Sequence, residues 1–274
     1  MSEYTQGVLE LLCCTTDLAT PPNPPFQEEA SNDSFPTLPR PPREPAWGIL
    51  DVVALGLGTF LVINIVAAML LVPLAATRHI TGELPLPLVA KAVIPAELIA
   101  YVLLVVITKL VLSMRGHPRL LKAVQWNWPP GKVTVSLALL GIACAIGIVK
   151  AGSLFNIPPD LPIEEMMKDR FVANMFLIFG VLPAPFVEEL YFRGLLYPAL
   201  ERKIGNAAAI VLTAAAFAGM HATQLAGSVA PLAMLFVVGL ILTIIRAVTG
   251  SVGTAFVFHV AYNGALFLLD ALAK

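Results

Sequence analysis

The stretch Phe186-Val187-Glu188-Glu189-Leu190-Tyr191-Phe192-Arg193 sets two carboxylates and a guanidinium inside an otherwise apolar run covering about residues 171–200. Near the centre of a bilayer each such charge costs roughly 3 kcal/mol, so three cost about as much as twenty Leu-like residues gain. A chain keeps that burden for chemistry or transport. On a helix Glu189 and Arg193 lie one turn apart on one face and can pair, while Glu188 points about 100° away. The pair neutralises Glu189 and leaves Glu188 as the free carboxylate. Burial raises the pKa of such a group unless a positive neighbour or a metal opposes it, and a poised buried carboxylate suits a general base. A structural ion pair between membrane helices needs Glu189 and Arg193 but not Glu188.

The surrounding chain has the composition such a site requires. Of its 274 residues 58% are apolar and 13% charged. A soluble protein carries about twice that charge fraction, so the expected fold class is all-α, a polytopic transmembrane bundle. The formal net charge of -1 argues against a nucleic-acid partner. Cys13, Cys14 and Cys144 have neither zinc-ribbon nor disulfide-framework spacing. Cys13 and Cys14 read as an unmodified pair in a loose tail, with acylation as the alternative.

Residues 1–46 are polar and crowded with proline, a composition that cannot bury enough apolar surface to offset its ordering entropy; a disordered Pro-rich tail is expected. No basic stretch followed by an apolar core opens the chain, so the first span should serve as the insertion signal. Residues 47–169 then hold N-terminal transmembrane helices and loops, and 170–272 the core with the charged motif. Spans are expected over 47–75, 87–114, 133–149, 171–200, 204–223, 230–248 and 252–272, seven in all. At about 45 Å the fourth is too long for one upright crossing of a roughly 30 Å core. Pro183 and Pro185 should kink or break it, with an eighth span if they reverse the chain.

Several side chains along the way carry expectations. Lys91 should snorkel from its helix end, and Glu97 lies deeper as a lesser functional candidate. The basic loop from Arg115 to Lys132, with Trp126 and Trp128, has the composition of the headgroup boundary. Gly141, Ala143 and Gly147 should let the third span approach a neighbour closely. Glu164 and Glu165, beside Lys168 and Arg170, read as a solvated cluster. Lys and Arg favour the side of the tail, which predicts a cytoplasmic N-terminus for a multi-pass protein, in the plasma membrane if the source is a bacterium.

Of four histidines, His79 and His117 fall in loops and read as surface residues, while His221 and His259 fall in the fifth and seventh spans. Asn263 follows His259 by one turn and Phe217 precedes His221 by one, so amide and imidazole share a face, and the phenyl ring can fix a histidine rotamer. Counting from the turns near Lys203 and Gly250 brings Glu188, His221 and His259 to compatible depths at about 1.5 Å per residue. Two mechanisms fit such a cluster. In one, Glu188, His221 and His259 hold a divalent metal, zinc by preference, that acidifies a bound water. In the other, Glu188 and His221 activate water without metal, and His259 and Asn263 donate hydrogen bonds to the oxyanion.

Glu188-Glu189-x-x-x-Arg193, Phe217-x-x-x-His221 and His259-x-x-x-Asn263, in this order, resemble the motifs of the CAAX protease and bacteriocin-processing family of intramembrane endopeptidases, also called the abortive-infection family. The resemblance covers roughly residues 170–270. It implies Glu188 as catalytic base, Glu189 and Arg193 as its structural partners, and His221, His259 and Asn263 as the rest of the site. It also implies hydrolysis of a peptide bond in a membrane-associated or lipidated protein or peptide, by a metallo- or a glutamate-type route. The alternatives are a non-catalytic scaffold or bacteriocin-immunity factor of the same fold, and a proton-coupled carrier, for which no inverted repeat of the motif is seen.

Overall fold

A computed structural model describes residues 47–77, 80, 82–155 and 161–273; the Pro-rich tail, His79, Cys13 and Cys14 lie outside them. The described residues are helical, with no strand among them. In chain order the helices are α1 (Ile49–Thr77), α2 (Leu86–Met114), α3 (Leu120–Ala123), α4 (Gly131–Gly152), α5 (Pro162–Met167), α6 (Arg170–Val181) and α7 (Pro183–Glu189). A π-helical turn, Leu190–Leu196, leads into α8 (Tyr197–Ile204), followed by α9 (Asn206–Met220), α10 (Val229–Thr249) and α11 (Val252–Ala273).

Among the described residues six helical stretches are long and apolar enough to cross a membrane: α1, α2, α4, the run Arg170–Ile204, α10 and α11. The expected fifth span is the shorter apolar helix Asn206–Met220. It starts at Gly205, whose φ of 80° suits glycine, and ends before His221. The Arg170–Ile204 run counts as one helical stretch, so no eighth span arises among the described residues. α6 stops at Leu182 (φ -126°, ψ -60°), and Pro183 begins α7, where its missing N–H is tolerated. Outward-facing Leu57, Phe60, Ile65 and Met69 on α1 are more than half exposed, which lipid solvates without penalty.

Packing follows small-residue stripes. On α2, Ala96, Ala100, Leu104, Thr108 and Leu112 recur every fourth residue and form one buried face. α4 packs on α11, α1 on α2 and α9 on α10. Of the three small residues expected to bring α4 close, Gly141 alone does so: a Cβ there would meet the Phe258 carbonyl at 2.5 Å and the Tyr262 nitrogen at 3.1 Å. Ala143 and Gly147 are exposed on the other face of α4, and a Cβ on Gly147 meets nothing within 4 Å. Gly141→Ala should therefore push α4 off α11 and cost about 1–3 kcal/mol. Gly147→Ala should be neutral or slightly stabilising by helix propensity. Melting of the detergent-purified variants separates the two.

The basic loop departs from its boundary expectation at Trp126. That ring is buried and packs on Phe186 at 4.8 Å and Phe256 at 5.3 Å, whereas Trp128 is exposed. The loop is clamped to the start of α11: Val252 N–H donates to the Gln125 carbonyl at 3.1 Å, and the Ser251 hydroxyl donates to the Asn127 carbonyl at 2.6 Å. It thus supports the two helices that carry Glu188 and His259. Lys91 does not simply snorkel: it pairs with Asp169 at 2.5 Å. Asp169 also caps α6 by accepting from the N–H groups of Phe171 and Val172. Those contacts hold the Asp169 carboxyl below its usual range. Glu165 pairs with the exposed Lys168, and Arg115 pairs with Asp51 at 2.7 Å.

Candidate active site

Helix spacing first places Glu189 and Arg193 together. Arg193 Nη1 donates to Glu189 Oε1 at 2.9 Å, and both side chains have no exposure at all. Desolvating two ions costs several kcal/mol each and is offset only where the remaining donors and acceptors are served. Arg193 meets that condition. Nη2 donates to the Gly239 carbonyl at 3.0 Å, Nε to Thr243 Oγ1 at 3.3 Å, and the guanidinium lies 4.7 Å from the Phe217 ring centroid. The pair sits where α7 passes into the π-helical turn, a geometry that recurs at functional sites.

Glu189 Oε1 has a second partner, His259 Nδ1, at 2.8 Å. The carboxylate only accepts, so the imidazole donates from Nδ1, and its other nitrogen is thereby defined. That nitrogen, Nε2, faces Glu188 Oε2 at 3.7 Å. The separation is longer than a direct hydrogen bond and can be spanned by one water oxygen bonded to both. Glu188 and His259 are both buried. Arg193, Glu189, His259 and Glu188 therefore form one continuous chain of charged and polar contacts, with each imidazole nitrogen toward a different carboxylate.

The remaining expected residues surround this chain at different distances. His221 lies at the C-cap of α9 rather than inside a span, half-buried, with Nδ1 2.9 Å from the Phe217 carbonyl. The Phe217 ring packs on both imidazoles, at 5.1 Å from His221 and 5.8 Å from His259. Asn263 is half-buried one turn beyond His259 and donates from Nδ2 to the Gly180 carbonyl at 2.7 Å. One of its amide hydrogens is thus engaged in the helix break, and the second remains for other acceptors.

The expected zinc donors can be compared with this arrangement. Glu188 and His259 stand where a single ion could touch both, but among the described residues no group of three His, Cys, Asp or Glu side chains is gathered to hold one. Structural zinc takes four protein ligands and catalytic zinc three. The donor set in this arrangement does not fit zinc, because His221 does not join the other two.

Three contributors were not legible in the sequence. Arg246 is buried; its Nε donates to the Arg193 carbonyl at 3.2 Å and its Nη2 to Gln125 Oε1 at 2.5 Å. Lying one turn before the Gly250 turn, it has the pattern of an ordinary snorkelling arginine, so nothing local marks it. Arg246→Met should cost about 1.5–3 kcal/mol through the loss of charge-assisted bonds to the π-helical turn, read as a lower melting temperature in detergent. Thr243 and the Gly239 carbonyl hold Arg193 from α10 and carry no motif. Glu97, a lesser candidate by sequence, lies within electrostatic reach of Glu188, as does Tyr101.

Residues 171–265 match the family described as Type II CAAX prenyl endopeptidase Rce1-like. No curated protein and no solved structure matches the chain. The matched stretch contains Glu188, Glu189, Arg193, Phe217, His221, His259 and Asn263. Over residues 171–265 this integral membrane protein is thus similar to the Rce1-like family, consistent with the CAAX protease and bacteriocin-processing type.

Proposed function

We propose that the protein is an intramembrane endopeptidase in which Glu188 is the general base. The observation that carries this reading is the facing of Glu188 Oε2 and His259 Nε2 across 3.7 Å, with His259 oriented from behind by Glu189. A water between them gives one proton to Glu188 as its oxygen bonds to the scissile carbonyl carbon. The carbon–nitrogen bond then breaks, and Glu188 returns the proton to the leaving amine. The second N–H of Asn263 donates to the developing oxyanion, and His221, whose Nδ1 donates to the Phe217 carbonyl, leaves its Nε2 as an acceptor. Glu189, Arg193 and Phe217 hold the imidazoles in place.

The substrate is a membrane-associated protein or peptide, since the site lies among spanning helices. The prenyl endopeptidases of the matched description make a lipid-modified peptide the first class to test. The basic ends of α2 and α8 lie on the side of the α1 N-terminus, which supports a cytoplasmic orientation for that end.

The test compares protein N- and C-termini in membranes holding wild-type protein with those holding Glu188→Ala at equal abundance, with and without a chelator. Termini present only with wild type support the endopeptidase; identical sets leave a non-catalytic scaffold. Loss of the termini on chelation, restored by zinc, would favour the metal route and require His221 to close on Glu188 and His259.

A further inference from the structure

Glu97 is an acidic side chain beside the site to which the mechanism gives no part. Ile94, Glu97 and Tyr101 follow one another at spacings of three and four residues and so share a face of α2. That face meets the α6–α7 break: Ile94 and Tyr101 belong to one apolar cluster with Phe179 and Ala184, and the Tyr101 ring stacks on Phe179 at 5.6 Å. Glu97 stands between the two, partly buried, and the charge of Glu188 reaches both Glu97 and Tyr101. Lys91, on the same helix, is committed to Asp169, and Arg193 to Glu189. Among the described residues no ion pair engages Glu97. A carboxylate at membrane depth without a counter-charge is costly, and two that face one site add their mutual repulsion. Such groups in spanning helices face a bundle interior or a wet cavity and mark the path of a ligand.

We propose that Glu97 selects the substrate by receiving the Lys or Arg side chain of a peptide whose scissile bond lies at Glu188 and His259. The inference rests on the endopeptidase reading and adds the class of sequence that the site prefers. A Lys or Arg side chain brings donors only, supplies the missing counter-charge and holds the carboxyl ionised. Its apolar stem suits the wall made by Ile94 and Tyr101, as long cationic side chains bury their methylenes and present the head to a polar group. An Asp or Glu at the same substrate position brings a third carboxylate to Glu97 and Glu188 and is rejected by like charge. An apolar side chain leaves Glu97 as it stands. The order of preference at that position is therefore basic, then apolar, then acidic. Glu97 takes no proton from the attacking water; its part is specificity.

The probe is a synthetic copy of the peptide spanning the cleavage whose termini are lost most completely in Glu188→Ala membranes, with any lipid the native segment carries. Each position flanking the cut is replaced in turn by Lys, by Leu and by Glu. With wild-type protein one position should favour Lys over Leu by about ten- to a hundredfold in kcat/KM, and Leu over Glu. Glu97→Gln should bring the Lys-to-Leu ratio at that position to about one, whereas Glu97→Asp, which keeps the charge, should retain the preference for Lys. Melting in detergent shows whether both variants are folded. A role in packing alone would slow all the peptides together and leave the ratio unchanged. Wild type that favours Lys at no position, or a folded Glu97→Gln that keeps the wild-type ratio, overturns the proposal. If Glu97→Gln does not fold, the peptide scan on wild type decides. Identical termini in wild-type and Glu188→Ala membranes would instead remove the endopeptidase reading, and that comparison precedes the scan.

Discussion

Glu188→Gln leaves a folded bundle that no longer cleaves. The exchange conserves shape at a residue that is 9% exposed and whose partner in the site, His259 Nε2, stands 3.7 Å away. Little stability is at stake, because no short hydrogen bond to protein is broken and a buried carboxylate is replaced by a neutral amide. The change should fall within about 1 kcal/mol. Cleavage should fall by at least about 100- to 10,000-fold, the usual share of a positioned general base, because an amide cannot take a proton from water. Melting and peptide cleavage by the same purified sample check both halves. A variant that cleaves normally removes Glu188 from the chemistry; one that fails to fold makes it structural.

The second large effect separates stability from activity at the ion pair. Arg193→Leu strands Glu189 in a site without exposure, with one oxygen already lacking any partner, and should cost about 3–5 kcal/mol. Removing both charges together, Glu189→Leu/Arg193→Leu, replaces the pair by apolar volume and should recover most of that stability. Activity should not return. Without Glu189, nothing holds the proton on His259 Nδ1, and the 2.8 Å contact that turns Nε2 toward Glu188 is gone. Thermal melting of the three variants, read beside cleavage of one peptide, gives the pattern. A double variant that regains cleavage would show that Glu189 does not orient the imidazole.

Contacts within one helix were legible because helical spacing alone decides them. Glu189 and Arg193 are one turn apart and pair at 2.9 Å. Phe217 and His221 are one turn apart and pack at 5.1 Å. Pro183 ends α6 because its ring and missing N–H admit no continuation of the ladder. The apolar runs likewise marked the spanning helices, although helix length and caps shortened the fifth to Asn206–Met220.

Contacts between helices were decided elsewhere. That His259 would meet Glu189 through one nitrogen and Glu188 through the other depends on the rotation and depth of α11 against α7, which the loop carrying Trp126 helps to set. The same holds for Asn263 on the Gly180 carbonyl and for Arg246 on the Arg193 carbonyl. By itself the sequence determined a polytopic helical bundle, its broken central helix and the residues able to do chemistry. Which of them touch was settled by tertiary packing, because periodicity specifies the face of a helix a residue occupies, whereas its partner is chosen by how whole helices slide and turn to fill space in lipid.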